Sequence, residues 1–193
     1  MRAEGPEECR HLFRHNFTDD TFDSMATVPG YGKWFRSQEL SHVYAWHRDA
    51  LALVQSTALG RRWVLKYPAH LRNLDLLFRT YPDACIVQTH RDPVEAIPSI
   101  ASMVHHLWEM GADGPDPHSA GQQWSRNFAM GLKATLDFRD KGHEGRFVDI
   151  WFQDSVRNPL DSVGKVYAFL DRPLTPIAED KMRKWTEDNA REK

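Results

Sequence analysis

The chain has 193 residues, of which 41% are hydrophobic and 27% charged, and a formal net charge of -2. That length and balance suit a single globular domain burying roughly 70% of its unfolded surface, and the near-neutral charge argues against general nucleic-acid binding. No apolar run approaches the ~20 residues that cross a bilayer and the start has no signal-peptide pattern, so a cytoplasmic protein without a membrane span is expected.

In chain order, Pro6-Glu7-Glu8 suits a helix start, with Cys9, Leu12, Phe13 and Phe17 as its apolar face. His11 and His15 stand four apart on it, a spacing compatible with zinc. No third ligand or HExxH pattern accompanies them, and a solvated helix face explains them as well. Residues 18 to 37, with Thr18-Asp19-Asp20 and Pro29-Gly30-Tyr31-Gly32, read as a long irregular loop pinned by Phe22, Tyr31, Trp34 and Phe35. A helix over about 39–59 carries Tyr44, His47, Leu51, Val54 and Ala58 on one side. Trp63-Val64-Leu65 suits a short buried strand, stopped by Lys66 and by Pro68. Leu71, Leu74, Leu77, Phe78 and Tyr81 give a helical stripe ending before Pro82.

Ala84-Cys85-Ile86-Val87 is a second buried strand. With only Cys9 and Cys85 present, and Cys85 in that strand, a disulfide framework is excluded and a reducing compartment fits. Asp92-Pro93 opens a helix lined by Ile97, Ile100, Val104 and Leu107, with Pro98 removing one backbone hydrogen bond inside it. Residues 109–118, rich in Gly, Asp and Pro, form an exposed loop, either a mobile lid or a plain connection. Trp124, Phe128, Leu132 and Leu136 mark a long helix stopped at Lys141-Gly142, and residues 146–152 are a third strand. Helices over 161–170, with Val163, Val166, Tyr167 and Leu170 inward, and from Pro176 to about Asn189 complete the chain. There are no internal repeats, and an α/β single domain over residues 1–193 is expected.

Two strands joined by a crossover helix are most simply parallel, and open parallel sheets bind ligands beyond their carboxyl ends. Those ends carry Lys66 and His70 after one strand, and His90, Arg91 and Asp92 after the next. Cations before a helix N-terminus make an anion site. The chain has no G-x-x-x-x-G-K-[ST], no G-x-G-x-x-G and no G-x-S-x-G, so the nucleotide loops and the hydrolase elbow lack their signatures. Arg91 and Ser99, eight apart, offer a forked cation and a hydroxyl to a phosphate. A surface pair of Arg91 with Asp92 or Glu95, beside a buried serine, explains the same residues.

Leu65-Lys66-Tyr67-Pro68-Ala69-His70-Leu71, Tyr81-Pro82-Asp83-Ala84, and Gln88-Thr89-His90-Arg91-Asp92-Pro93 with Ser99 resemble the bacterial branch of sulfotransferases that use 3′-phosphoadenosine 5′-phosphosulfate. Pro6-Glu7-Glu8-Cys9, Asn158-Pro159, Tyr167-Ala168-Phe169-Leu170 and Pro173-Leu174-Thr175 extend the likeness over most of the chain. The resemblance implies a helix-rich α/β fold related to the P-loop NTPases, a three-layer-like parallel sheet with flanking helices. It implies sulfuryl transfer to a hydroxyl or amine of a small-molecule acceptor, with no metal demanded and a homo-oligomer left open. Arg91 and Ser99 would hold the donor's 3′-phosphate, and Lys66 would touch a donor phosphate. His70 lies where related eukaryotic enzymes keep a catalytic histidine, but Lys66 and His70 are four apart rather than two. Glu7 and Glu8 are rival bases, and helix capping explains them equally well.

The family opens with a strand and a Gly/Ser/Thr loop that grips the 5′-phosphosulfate, and this sequence contains no such segment. Pro29-Gly30-Tyr31-Gly32 lies in the wrong place for it. The chain therefore resembles a sulfotransferase truncated at the N-terminus, and at the C-terminus also ends short of its relatives: a fragment, a natural short form, or a non-catalytic nucleotide-binding or interaction protein.

Overall fold

The computed structural model describes residues 7–57 and 62–189. Pro6, Ala58 and Leu59, which the sequence places at helix ends, lie outside the described residues. The chain divides into two compact units, one of residues 1–83 and 97–141, the other of residues 84–96 and 142–193.

The first unit is helical. Its elements are α1 (Arg10–Arg14), α2 (Thr21–Met25), α3 (Pro29–Arg36), α4 (Ser41–Gln55), a 3-10 turn over Pro68–Arg72, α5 (Leu74–Thr80), the larger part of α6 (Pro93–Glu109) and α7 (Pro117–Phe138). Phe13 is the hub, 1% exposed. Its ring meets Tyr67 at 5.0 Å, Tyr44 and His47 at 5.3 Å and His70 at 5.7 Å between centroids. Val43, Leu51, Leu74 and Leu77 are buried beside α4 and α5. A second core joins Val104 and Trp108 of α6 to Ala120 of α7, with Ile100, Ala101 and Trp124 against it.

The stretch expected to be an irregular loop is folded instead. Residues 18–36 form α2 and α3 around buried Asp19, Asp20 and Asp23. Arg14 Nε donates to Asp19 Oδ2 at 3.1 Å, Tyr67 Oη to Asp19 Oδ1 at 2.8 Å and Tyr31 Oη to the Asp19 carbonyl at 2.8 Å. Polar composition signalled a loop, but here the polar groups face inward and satisfy each other.

The face of α7 also differs from expectation. Leu132 and Leu136 are exposed, whereas Ala120, Gly131 and Thr135 are buried. Gly131 lies beside Leu71, and Thr135 Oγ1, which donates to the Gly131 carbonyl at 2.9 Å, also lies 3.4 Å from the Leu71 carbonyl. Small residues let α7 approach the Pro68–Arg72 turn closely, and that approach outweighs the larger side chains roughly 100° around the helix.

The second unit holds β1 (Ile86–His90) and β2 (Phe147–Trp151), paired in parallel from Ile86 opposite Phe147 to His90 opposite Trp151. Then come α8 (Phe152–Arg157), α9 (Pro159–Phe169) and α10 (Pro176–Asp188). The strand expected at Trp63–Leu65 does not form: residues 62–67 make no ladder, and Val64 is 94% exposed. An apolar run becomes a strand only where a neighbour accepts its backbone, and here the Lys66 carbonyl takes a hydrogen bond from the Cys9 amide instead. Cys85, expected in a core strand, precedes β1 and is exposed, because the ladder starts one residue later. No described helix is long and apolar enough to cross a membrane.

Gly32 of α3 has a steric reason to be glycine, since a Cβ there would stand 2.5 Å from Asp23 Oδ2. Gly30, two residues earlier, has open space around it. Gly32→Ala is therefore expected to destabilise by about 1–3 kcal/mol. Gly30→Ala should be neutral or stabilise by up to about 1 kcal/mol. Urea melts of the two variants check the contrast, and equal effects would contradict this account of α3.

Candidate functional site

The parallel register brings chemistry to the carboxyl ends of β1 and β2. Asp149 and Trp151 are two apart on β2 and so share a face, and His90 lies opposite Trp151. His90 Nε2 meets Asp149 Oδ1 at 2.6 Å, and its ring lies 5.1 Å from that of Trp151 between centroids. This pair ties the two strand ends together, and sequence reasoning missed it because only register reveals which side chains face across.

Arg91 leaves the end of β1. Its guanidinium sits 4.7 Å over the Phe152 ring, and its Nε donates to Glu95 Oε2 at 3.2 Å. The terminal nitrogens have no protein partner among the described residues. Asp92 then caps the helix, its Oδ1 accepting from the Val94 amide at 2.9 Å and its carbonyl from the Glu95 and Ala96 amides. The surface pair weighed from sequence, Arg91 with Glu95, is thus formed, while the buried serine that went with it is not: Ser99 is exposed on α6. Arg91 belongs to the second unit, whereas Ser99, Lys66 and His70 belong to the first.

In the first unit, exposed Lys66 is in ion-pair contact with Glu8, which also lies 3.4 Å from Arg10 Nε. Glu7 is 2.8 Å from His11 Nε2, so the two glutamates expected as bases each have a basic partner. His70 lies in the aromatic core. Its Nδ1 meets Tyr44 Oη at 2.8 Å, and His47 Nδ1 meets Tyr81 Oη at 2.6 Å. Both Nε2 atoms are buried without a partner among the described residues. Burial pushes the His47 imidazole from 6.5 down to about 4. Burial, helped by His47 nearby, pushes His70 down to about 3. Cys9, also buried there, is raised to about 11 by burial. An open hollow of about 390 Å³ in the second unit is lined by Asn158, Asp161, Glu179 and Arg183 among others, and none of the expected donor residues borders it.

A strand-end cation followed by a capped helix start, on a helix-rich α/β scaffold, is a place where an anion can bind. The model of the sulfotransferase family matches residues 1–176, and the chain belongs to that family. Two solved structures are similar to it. A sulfotransferase from Mycobacterium avium superposes with a TM-score of 0.92 at 26% identity, over 98% of this chain and 49% of that one. A sulfotransferase from Mycobacterium tuberculosis H37Rv superposes with a TM-score of 0.85 at 31% identity, over 95% of this chain and 50% of that one. The chain thus spans about half the length of these structures. No curated protein sequence matched.

The buried imidazoles set a pH dependence. Below about pH 6.5 the unfolded chain protonates His47 and His70, whereas the folded chain keeps them neutral down to about 4 and 3, so stability falls with pH. Asp20, raised from 3.8 to about 6 by burial against the opposing charge of Arg72, acts in the other direction over that interval. The unfolded state therefore binds about one proton more between pH 6 and 4, a loss of about 1.4 kcal/mol per pH unit. Urea midpoints at pH 6, 5.5 and 5 should follow this slope, and His47→Gln/His70→Gln should reverse its sign, because Asp20 alone then makes the folded chain bind the extra proton.

Proposed function

We propose that the protein serves sulfuryl transfer from 3′-phosphoadenosine 5′-phosphosulfate to a hydroxyl or amine of a small-molecule acceptor. The observation that carries the reading is Arg91: a cation at the carboxyl end of a parallel strand, followed at once by a capped helix, within the residues that the family model matches. In this reading Arg91 and Ser99 hold the 3′-phosphate of the donor, and Lys66 contacts a donor phosphate. The stacking on Phe152 fixes the plane of the guanidinium, which suits forked recognition of a phosphate. Transfer itself is mostly positioning of the acceptor in line and neutralisation of charge on the departing phosphate. His70, enclosed and bonded to Tyr44, fits a packing role better than that of a base that must reach the acceptor. The family match runs through both compact units, which supports reading them as one domain, and two free cysteines suit a reducing, cytoplasmic compartment.

A second reading is favoured by the pairing of Lys66 with Glu8 and of Arg91 with Glu95. It is a sulfotransferase-like protein that binds nucleotide, or another protein, without turnover. Labelled donor offered with a panel of phenols, sterols and amino sugars separates the two. Transfer to any acceptor supports the first, and binding of adenosine 3′,5′-bisphosphate without transfer supports the second. In either case Arg91→Ala is expected to weaken binding of that bisphosphate by about 2–3 kcal/mol, about 30–150-fold, as measured by calorimetry. An unchanged affinity would remove Arg91 from the site.

A further inference from the structure

We propose that His105, His106 and Glu109, at the carboxyl end of α6, form a binding site for a late first-row divalent cation such as zinc. The three ligand atoms lie within 4.8 Å of one another. The sequence places them so by helical spacing: Glu109 is four residues after His105 and three after His106, so one carboxylate faces both imidazoles across a single turn. Val104 and Trp108, buried in the core, fix the rotation of the helix and hold this trio on its flank.

The hydrogen bonding at His105 is the observation that points to a cation. His105 Nε2 lies 3.0 Å from the Pro115 carbonyl oxygen. A carbonyl only accepts, so Nε2 carries the hydrogen and, in the neutral ring, Nδ1 presents a lone pair. That lone pair faces Glu109 Oε1 at 3.7 Å, acceptor against acceptor. The other carboxylate oxygen, Oε2, lies 2.9 Å from His106 Nδ1. A second proton on His105 would settle one side of this arrangement. A metal ion would take the place of that proton between His105 Nδ1 and the carboxylate, with His106 Nδ1 giving up the hydrogen it now donates to Oε2 in order to join them.

The tie to Pro115 has the form of an outer contact that orients a metal-bound imidazole and raises its basicity. Two imidazoles and one carboxylate suit zinc, nickel or copper rather than magnesium or calcium, which prefer all-oxygen sets. The partial negative charge at a helix carboxyl end also favours a cation there. The site is open, with the His106 side chain 81% exposed and Glu109 49% exposed, so the ion exchanges with solvent and completes its shell with water. Sulfuryl transfer makes no use of it. Its effect is on the chain: by fixing His105, the ion fastens the 110–116 loop to the end of α6.

The test is calorimetric titration of the untagged full chain with zinc chloride, with magnesium chloride as the comparison. One zinc per chain is expected to be lost, or weakened at least about tenfold, in His105→Ala and in Glu109→Gln, and to persist in His11→Ala/His15→Ala. Saturating zinc should also slow amide exchange over residues 110–116 in the parent and not in Glu109→Gln, a readout independent of enzyme activity. Absence of zinc binding, or the same affinity in the triple variant His105→Ala/His106→Ala/Glu109→Gln, overturns the assignment. Equal affinity for magnesium overturns it too.

Discussion

The first unit is organised by the requirement that the carboxylate of Asp19, fully buried, be given partners. An unpaired buried charge costs far more than folding has to spare, so its neighbours are dictated rather than optional. Burial alone pushes the carboxyl up, but hydrogen bonds from Thr21 and Tyr67 outweigh it and hold Asp19 below the usual range. Those partners come from different elements: Arg14 from α1, Thr21 from α2 and Tyr67 from the segment before the 3-10 turn, while Tyr31 of α3 donates to the main-chain carbonyl of Asp19. The same logic extends outward. Arg72 lies 3.2 Å from Asp20 Oδ2, and Arg36 lies 3.2 Å from Asp23 Oδ2, the oxygen that leaves no room for a side chain at Gly32. Beside the packing of Phe13, three short helices are fastened to one another through one acidic cluster.

This explains where the sequence was legible. Helices opened by proline and closed by polar loops, such as those beginning at Pro93 and Pro176, were readable because their signals are local. The strand at residues 147–151 was readable from its β-branched and aromatic run. The segment 18–36 was not, because Asp and Thr look alike whether they face water or each other. The buried face of α7 was hidden for a related reason. Periodicity ranks faces by hydrophobicity, but Gly131 and Thr135 were selected by how closely a helix approaches a turn, a tertiary property. Trp63–Leu65 failed in a third way, since a ladder partner is a fact about another part of the chain.

The candidate site was legible in part, and more through resemblance than through pattern. Arg91 could be picked from its place after an apolar run, but Phe152, which stacks on it, is about sixty residues away in sequence and no spacing rule connects the two. His90 and Asp149 are separated in the same way and meet only through strand register. His70 shows the opposite case. Its catalytic role came from the place of a histidine in related enzymes, and in the structure its side chain turns into the core, where Phe13, Tyr44 and Tyr67 surround it. Sequence gives a residue's position along the chain, whereas its protonation depends on what encloses it.

The two anions that compete for Arg91 can be compared by magnitude. Glu95 reaches it as an exposed pair one helical turn away, and such pairs contribute about 0.3–0.5 kcal/mol and are screened by salt. A charge-assisted contact to a phosphate contributes about 1.5–3 kcal/mol, and a fork uses both terminal nitrogens, which Glu95 leaves without a partner. In the proposed reading a phosphate would therefore displace Glu95 or share the guanidinium with it at little cost. Meanwhile the contact with Phe152, which depends on the face of the cation and not on its edge, survives the exchange. The pair with Glu95, weak by this comparison, would leave the cation free to take a phosphate in either reading.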